Sequence, residues 1–485
     1  MSKHWDLSFE HRFSELPSCF YTAMLPEGFA KCPRLIHANP QAAALLELSS
    51  LELSDPDFTA YFSGNKLLPG SKPLAMVYSG HQFGQWAGQL GDGRALLLGQ
   101  VRNVQGELWD IQLKGGGLTP YSRSGDGRAV LRSCIREYLC SEALYGLGVP
   151  TTRALCIMET GEQVWRETKE PGAIFTRLAR SHIRFGHFEH FYYRKQFSEV
   201  KILADHVIAE YFPEIASGEG RYREWFSKVM NRTASLIANW QAVGFSHGVM
   251  NTDNMSILGL TLDYGPFGFM ENFIPGFICN HSDIRGRYAY DQQPRIGLWN
   301  LYALALALQP LLPLETSKDI LQDYDQVLTS TYQRLMRSKL GLTEEESDNE
   351  LWLSLIHLMA EQQSDYTLTF RYLADSFTDP NKWLNLFAHK IHAEAWLNNY
   401  HKHLNLKAGS IQAKLQKLKA VNPKFVLRNW VAEVAIREAS DKKDYTMLDN
   451  LLTILHTPYD EHPEFDYLSM PAPKHYQSLA VSCSS

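Results

Sequence analysis

Residues 247–265 constrain this 485-residue chain most. They read His247-Gly248-Val249-Met250-Asn251-Thr252-Asp253-Asn254, a largely apolar run over 255–262, then Asp263-Tyr264-Gly265. A short apolar run between two polar clusters reads as one hairpin, with Asn254 and Asp263 at its two ends. An amide oxygen and a carboxylate so placed can share a hard cation. The plain alternative is a β-turn on Asp263 and Gly265 after an Asx-rich connection.

The same spacing occurs in nucleotide-dependent phosphotransferases of the kinase type. There His-x-Asp-x4-Asn is followed by an apolar strand and Asp-Phe-Gly, and the Asn and the second Asp hold Mg²⁺ between phosphate oxygens. The catalytic Asp of that pattern would stand at position 249, and Val249 cannot accept a proton. A carboxylate appears instead at Asp253, beside Asn254. The loop keeps its metal ligands and moves its base.

A nucleotide site needs further parts, and candidates lie upstream. Residues 95–101 are apolar, a turn follows at Gly106, and 109–114 alternate. Trp109, Ile111 and Leu113 face one way and Asp110, Gln112 and Lys114 the other, so Lys114 ends a polar face. A helix is predicted from about Arg128 to Tyr145, with Val130, Leu131, Cys134, Ile135, Tyr138 and Leu139 as its apolar stripe. Arg132, Ser133 and Arg136 fall opposite. Glu137 falls at the margin, where a carboxylate can turn inward if a cation meets it. A kinase Lys–Glu pair joins this kind of strand to this kind of helix. Taken singly, Lys114 and Glu137 read as surface residues; their order ahead of Asn254 and Asp263 favours the pair.

Gly91 and Gly93 lie just before the hairpin, and Gly115–Gly117 and Gly125-Asp126-Gly127-Arg128 after it. Glycines let backbone N–H groups approach phosphates, although a plain hairpin turn has the same composition. Arg177, Arg180, His182 and Arg184 fall within eight residues. Guanidinium forks suit phosphate oxygens, and a solvated basic helix face is the alternative. His182, His187 and His190 sit among aromatics and read as partly buried rather than as a zinc site. Residues 40–54 look helical. Residues 198–211 and 222–243 read as amphipathic helices, 275–294 as loop, and the chain from Leu298 as mainly helical, most clearly at 349–361 and 423–439.

A chain of this length implies two or three subdomains. The net charge of −6 gives no support for a nucleic-acid partner. Residues 1–20 lack an apolar targeting core, and no run is long enough to span a membrane, so a cytoplasmic bacterial protein is expected. The seven cysteines form no Cys-x2-Cys pair, and a scattered odd number suits a reducing compartment.

With these parts in order, the chain resembles the selenoprotein O (SelO/YdiU) family of kinase-like protein adenylyltransferases. The resemblance is carried by residues 78–84 (Tyr-Ser-Gly-His-Gln-Phe-Gly), 91–94, 118–123, 125–128, 184–190 and 247–255. It implies an α+β, bilobal protein-kinase-like fold with a mixed strand and helix N-lobe and a mainly helical C-lobe. The expected organisation is an N-terminal extension over 1–75, the N-lobe over 76–175, the C-lobe over 176–310, and a helical region and tail over 311–485. It implies transfer of AMP from ATP to Ser, Thr or Tyr hydroxyls of protein substrates, with Mg²⁺ or Mn²⁺, by a monomer without nucleic-acid or membrane partners. Asp253 would accept the proton, and Asn254 and Asp263 would hold the metal. Lys114, paired with Glu137, would bind phosphate, and Arg177 and Arg184 the distal phosphates of a flipped nucleotide. Gly91, Gly93, Arg94, Asp126, Gly127 and Asp263 would line the ATP site. Ordinary γ-phosphoryl transfer and an inactive nucleotide-binding scaffold are the competing readings. Cys483 stands where some animal members carry selenocysteine. A terminal thiol on a tail can reach the 275–294 loop, so a reversible Cys279–Cys483 disulfide is expected, against the alternative of two free thiols.

Overall fold

The strands are β1 (Tyr21–Ala23), β2 (Arg34–Ala38), β3 (Leu74–Met76), β4 (Ser79–Gln82), β5 (Gln85–Gln89), β6 (Ala95–Arg102), β7 (Leu108–Lys114), β8 (Ala129–Val130), β9 (Arg153–Trp165), β10 (Lys169–Ala179), β11 (Phe245–Ser246) and β12 (Gly268–Phe269). The computed structural model describes residues 5–342, 349–405, 411–476, 479 and 481. The main sheet runs β1-β3-β6-β7-β10-β9-β2 with β8 attached to β10, and its pairings are antiparallel. The β6–β7 turn forms because Asn103 Oδ1 accepts from the N–H groups of Gln105 and Glu107 at 3.1 and 2.9 Å.

The alternation in β7 is as expected, but both faces are buried up to Lys114 at the strand's end. Trp109, Ile111 and Leu113 join an apolar cluster with Phe58, Phe62, Leu155, Met158 and Ile174. On the other face Asp110 and Gln112 are buried and bonded. Gln100 Nε2 donates to Asp110 Oδ1 at 2.8 Å, and Arg177 Nε donates to Gln112 Oε1 at 2.8 Å. Polar residues are tolerated at this depth because each finds a partner.

The expected helix is Leu131–Gly146, starting after Ala129 and Val130, which pair with β10. Arg136, expected on an open face, is buried. Its Nη2 donates to the Phe267 carbonyl at 3.0 Å and its guanidinium stacks 4.4 Å from the Phe267 ring. The helices Asn429–Arg437 and Thr446–His456 fold back over Leu131–Gly146 and take that face from solvent.

The rest of the chain is mainly helical. Phe197–Tyr211 and Arg221–Ala242 match the expected amphipathic pair, and Asn349–Gln362 the later helix. Residues 40–54 instead form Pro40–Ala44 and Ser50–Ser54, because Glu47 takes a left-handed φ of 61° between them. The helix expected over 423–439 starts only at Asn429. The N–H groups of Lys424 and Phe425 donate to the Pro458 carbonyl at 2.8 and 3.2 Å, which holds those residues out of a helix. The apolar run 255–262 is a loop closed by single bridges, Met255 to Thr261 within the run and Ser256 to Arg184 outside it, not a strand. Among the described residues, no helix is long and apolar enough to cross a membrane.

Candidate active site

Two segments set the site's floor. His247 is buried, and its Nε2 lies 2.8 Å from the Leu262 carbonyl oxygen, which ties the start of the loop to the residue before Asp263. Asp263 itself has φ of 55°, a left-handed conformation that Asp tolerates better than most residues. Thr252–Asn254 form one 3-10 turn that presents Asp253 and Asn254 together. Asn254 Nδ2 donates to the Val249 carbonyl at 2.9 Å, which leaves its amide oxygen available to a cation.

Above this floor lies a cavity of about 690 Å³. Gly91, Gly93, Arg94, Lys114, Asp126, Gly127, Arg177, Arg184, Asp253, Asn254 and Asp263 all line it, and Glu137 stands behind Lys114. Cys279 lies elsewhere, buried under Ser246.

The charged groups form one connected chain. Lys114 Nζ contacts Glu137 Oε2, and Arg177 Nη1 reaches Glu137 Oε1 at 2.6 Å and Asp263 Oδ1 at 2.7 Å. Arg184 Nη1 contacts Asp263 Oδ2 and donates to the Asp253 carbonyl at 2.7 Å. Within this chain three cations face two carboxylates. Burial raises the Asp263 pKa, but Arg184, Arg177 and Lys114 outweigh it and hold the carboxyl well below the usual range. Burial likewise opposes ionisation of Glu137, and Lys114 and Arg177 win there too. Lys114 is pulled down by burial, with Glu137 only partly compensating. Asp253 differs: burial pushes it up to about 6, and its Oδ1 is buried without a partner.

A family model described as "Protein adenylyltransferase SelO" matches residues 3–456. The chain belongs to the SelO family. It is 51% identical to the protein nucleotidyltransferase YdiU of Myxococcus xanthus over 99% of both chains. It is 49% identical to the one from Pectobacterium carotovorum over 98% of both, and 47% identical to the one from Thiobacillus denitrificans over 99% of both. By that membership it is a protein nucleotidyltransferase.

The glycine-rich segments of this SelO chain have a structural requirement of their own. Gly127, at φ 69°, packs so close to Gly117 that a Cβ would lie 2.1 Å from its carbonyl carbon and oxygen. Gly91, at φ 113°, would place a Cβ 2.6 Å from the Tyr121 ring. These loops must fold tightly on themselves whether or not a phosphate lies near. Asp126 is held by Arg166, from the β9–β10 turn, at 2.8 and 3.2 Å.

The β4–β5 hairpin has no role legible in the sequence, and the structure lays it on the 247–254 loop. The His81 N–H donates to Thr252 Oγ1 at 2.7 Å, Gln82 Nε2 to Asp253 Oδ2 at 3.1 Å, and the Phe83 N–H to Asn251 Oδ1 at 3.1 Å. The motif over 78–84 was the one signal, and it carried no chemistry by itself. Arg166 and Asp92 were also missed. Asp92 is buried, lines the cavity, and is pushed up to about 6 by burial.

The donor atoms fit a hard divalent cation. Among the described residues no cluster of three or more His, Cys, Asp or Glu could hold a metal alone. Asn254 and Asp263 would supply two oxygen donors, and Mg²⁺ characteristically takes one or two protein ligands and fills its sphere with phosphate oxygens and water. The unpartnered Asp253 Oδ1 and the unpartnered, buried Nε of Arg184 show a site whose polar atoms are not satisfied by the protein alone.

Proposed function

We propose that this protein is a bilobal, kinase-like enzyme that transfers AMP from ATP to Ser, Thr or Tyr hydroxyls of protein substrates and releases pyrophosphate. The observation that carries the reading is the cluster of Lys114, Arg177 and Arg184 gathered in a cavity whose floor holds Asp253 and Asn254. A nucleotide with its distal phosphates among those cations would present its α-phosphorus toward Asp253. In this reading the sheet-rich part over 76–175 and the helical part over 176–310 are the two lobes, with 1–75 adding the edge strands β1 and β2 to the sheet and the described residues of 311–485 forming the further helical region.

The acceptor oxygen attacks the α-phosphorus, the new O–P bond forms, and the bond to the bridging oxygen breaks. Pyrophosphate leaves with that electron pair, and the hydroxyl proton passes to Asp253. A buried carboxyl at about 6 is a stronger base than an ordinary Asp. Gln82 holds its other oxygen in place. Lys114, Arg177 and Arg184 stabilise the charge that collects on the departing pyrophosphate. Asn254 and Asp263 would hold Mg²⁺ or Mn²⁺, which when bound neutralises phosphate oxygens. In this reading ATP draws Arg177 and Arg184 toward its phosphates and frees Asp263 oxygens for the cation. Val249, where a kinase carries its base, lines the cavity with an inert side chain, which weighs against γ-phosphoryl transfer.

Intact-mass spectrometry of a modified acceptor tests this. An adenylyl adduct is expected, and a phosphate adduct would overturn it. We also propose the Cys279–Cys483 disulfide as a redox link, in a monomer acting on proteins without nucleic-acid or membrane partners. Cys483 lies outside the described residues. The His281 N–H donates to the Val481 carbonyl at 2.9 Å, and this contact supports the reading. A Cys279–Cys483 peptide after mild oxidation is expected in non-reducing digests, and its absence would remove the link.

A further inference from the structure

Phe83, in the β4–β5 turn, has φ of 51°, an outlying conformation for a bulky aromatic residue. Its N–H donates to Asn251 Oδ1 and, at 2.9 Å, to the Tyr288 hydroxyl, and these bonds hold the turn in place. The ring remains 39% exposed, packed 5.1 Å from the Tyr288 ring. Phe83 lines the active-site cavity and also a second cavity of about 430 Å³, so the two spaces adjoin across this ring.

The second cavity is basic. Arg285, Arg287 and Arg295 line it, against one carboxylate, Asp291. Arg285 and Arg295 are exposed, and among the described residues none of the three arginines forms an ion pair. Arg287 is stacked 4.7 Å from the Trp299 ring, and its Nε is buried without a partner. Asp283, next in reach along the chain, accepts the N–H groups of Arg287 and Tyr288 at 2.9 and 2.7 Å and so is turned to the backbone. Ile278 adds an apolar wall that is 43% exposed. A chain of net charge −6 thus gathers three guanidinium groups against one carboxylate beside its catalytic cavity.

We propose that this second cavity docks the protein acceptor, and that it takes an acidic segment whose target hydroxyl lies a few residues away, across Phe83. The proposal rests on the transfer reading for its purpose and on the arginines for its specificity. Guanidinium forks bind carboxylates in a planar, two-bond geometry, and exposed charge of one sign steers partners of the other. The strained Phe83 turn then acts as the sill over which the acceptor segment passes from one cavity to the other.

The test uses the full chain and two fluorescent peptides that carry the same Ser, Thr and Tyr, one flanked by glutamates and the other by lysines. Binding is read by anisotropy with Mg²⁺ and a non-hydrolysable ATP analogue, and modification by label from α-labelled ATP. The wild type should bind and modify the glutamate peptide about tenfold or more better than the lysine peptide. Arg285→Glu with Arg295→Glu should remove or invert that preference and leave ATP affinity unchanged. If the double reversal fails to fold, Arg285→Gln with Arg295→Gln should still reduce the preference. No preference in the wild type, or the same preference in the folded variants, would overturn the proposal. So would tighter binding of a single-stranded RNA or of anionic lipid vesicles that the same variants abolish. A clear binding preference without label on either peptide would overturn AMP transfer while leaving the docking surface in place.

Discussion

The charged residues around Asp263 act as one unit, and each has a separable signature. Arg177→Ala and Arg184→Ala remove groups assigned to distal phosphates. Hydrogen bonds to charged groups are worth about 1.5–3 kcal/mol, so ATP affinity should fall roughly 10- to 150-fold while AMP affinity changes little. Calorimetric titration with both nucleotides checks this; equal losses would reject the assignment. Asp253→Asn should leave ATP binding intact and lower transfer by about 10²-fold or more, the scale of a lost general base. An unchanged rate would move the base elsewhere. Cys279 makes a further residue-scale prediction. Burial pushes its thiol up to about 12, so little thiolate exists near neutrality. Iodoacetamide should label the exposed Cys19 and Cys32 well before Cys279 in reduced protein, as read by peptide mapping. Fast labelling of Cys279 would contradict its burial. These residues were legible in the sequence because their chemistry is local: Asn254 and Asp263 close one loop, and Lys114 ends one strand. The Gln82–Asp253 contact was not, because it joins positions 171 residues apart and no spacing rule reaches that far.

At the scale of elements, the Leu131–Gly146 helix connects the main sheet to the helices Asn429–Arg437 and Thr446–His456. Its Glu142 is fully buried and accepts from Arg153 Nε at 3.0 Å, Arg153 Nη2 at 2.9 Å and the Ala154 N–H at 2.8 Å, and His456 Nε2 lies 2.7 Å away. Burial alone would raise the Glu142 pKa, but the bonds from His456 and Arg153 more than reverse it, so the folded value lies below the ordinary 4.5. A depressed carboxyl contributes stability that is fully present above 4.5 and is lost as pH falls through the lower folded value. Glu142→Gln leaves the buried Arg153 without its counter-charge and should cost about 3–5 kcal/mol at neutral pH. The gap in melting temperature between wild type and variant should narrow as pH drops below 4.5; a constant gap would rule out this origin. The helix's position was legible from its apolar stripe, yet its polar face was misjudged. Arg136 looked solvated because the covering residues, Phe267 and the helix from Asn429, come from far along the chain. Likewise the apolar run 255–262 has strand composition but single-residue bridges, since its partners are separate short segments rather than a neighbouring strand.

Across the whole molecule, one cavity collects every residue to which the family resemblance assigned direct nucleotide or metal contact, drawn from the sheet, the glycine-rich loops and the helical region. Chain order gave the parts, while the wrapping of the last helices onto Leu131–Gly146 came only with the fold. The central claim is that the α-phosphorus, not the γ, is transferred. The most direct measurement follows a protein acceptor incubated with ATP labelled at the α position in one sample and at the γ position in another, with Mg²⁺ or Mn²⁺ present. Protein-bound α-label is expected, with the γ-label recovered in pyrophosphate, and both signals should be lost in Asp263→Ala. Protein-bound γ-label, or no transfer from either position, would contradict it.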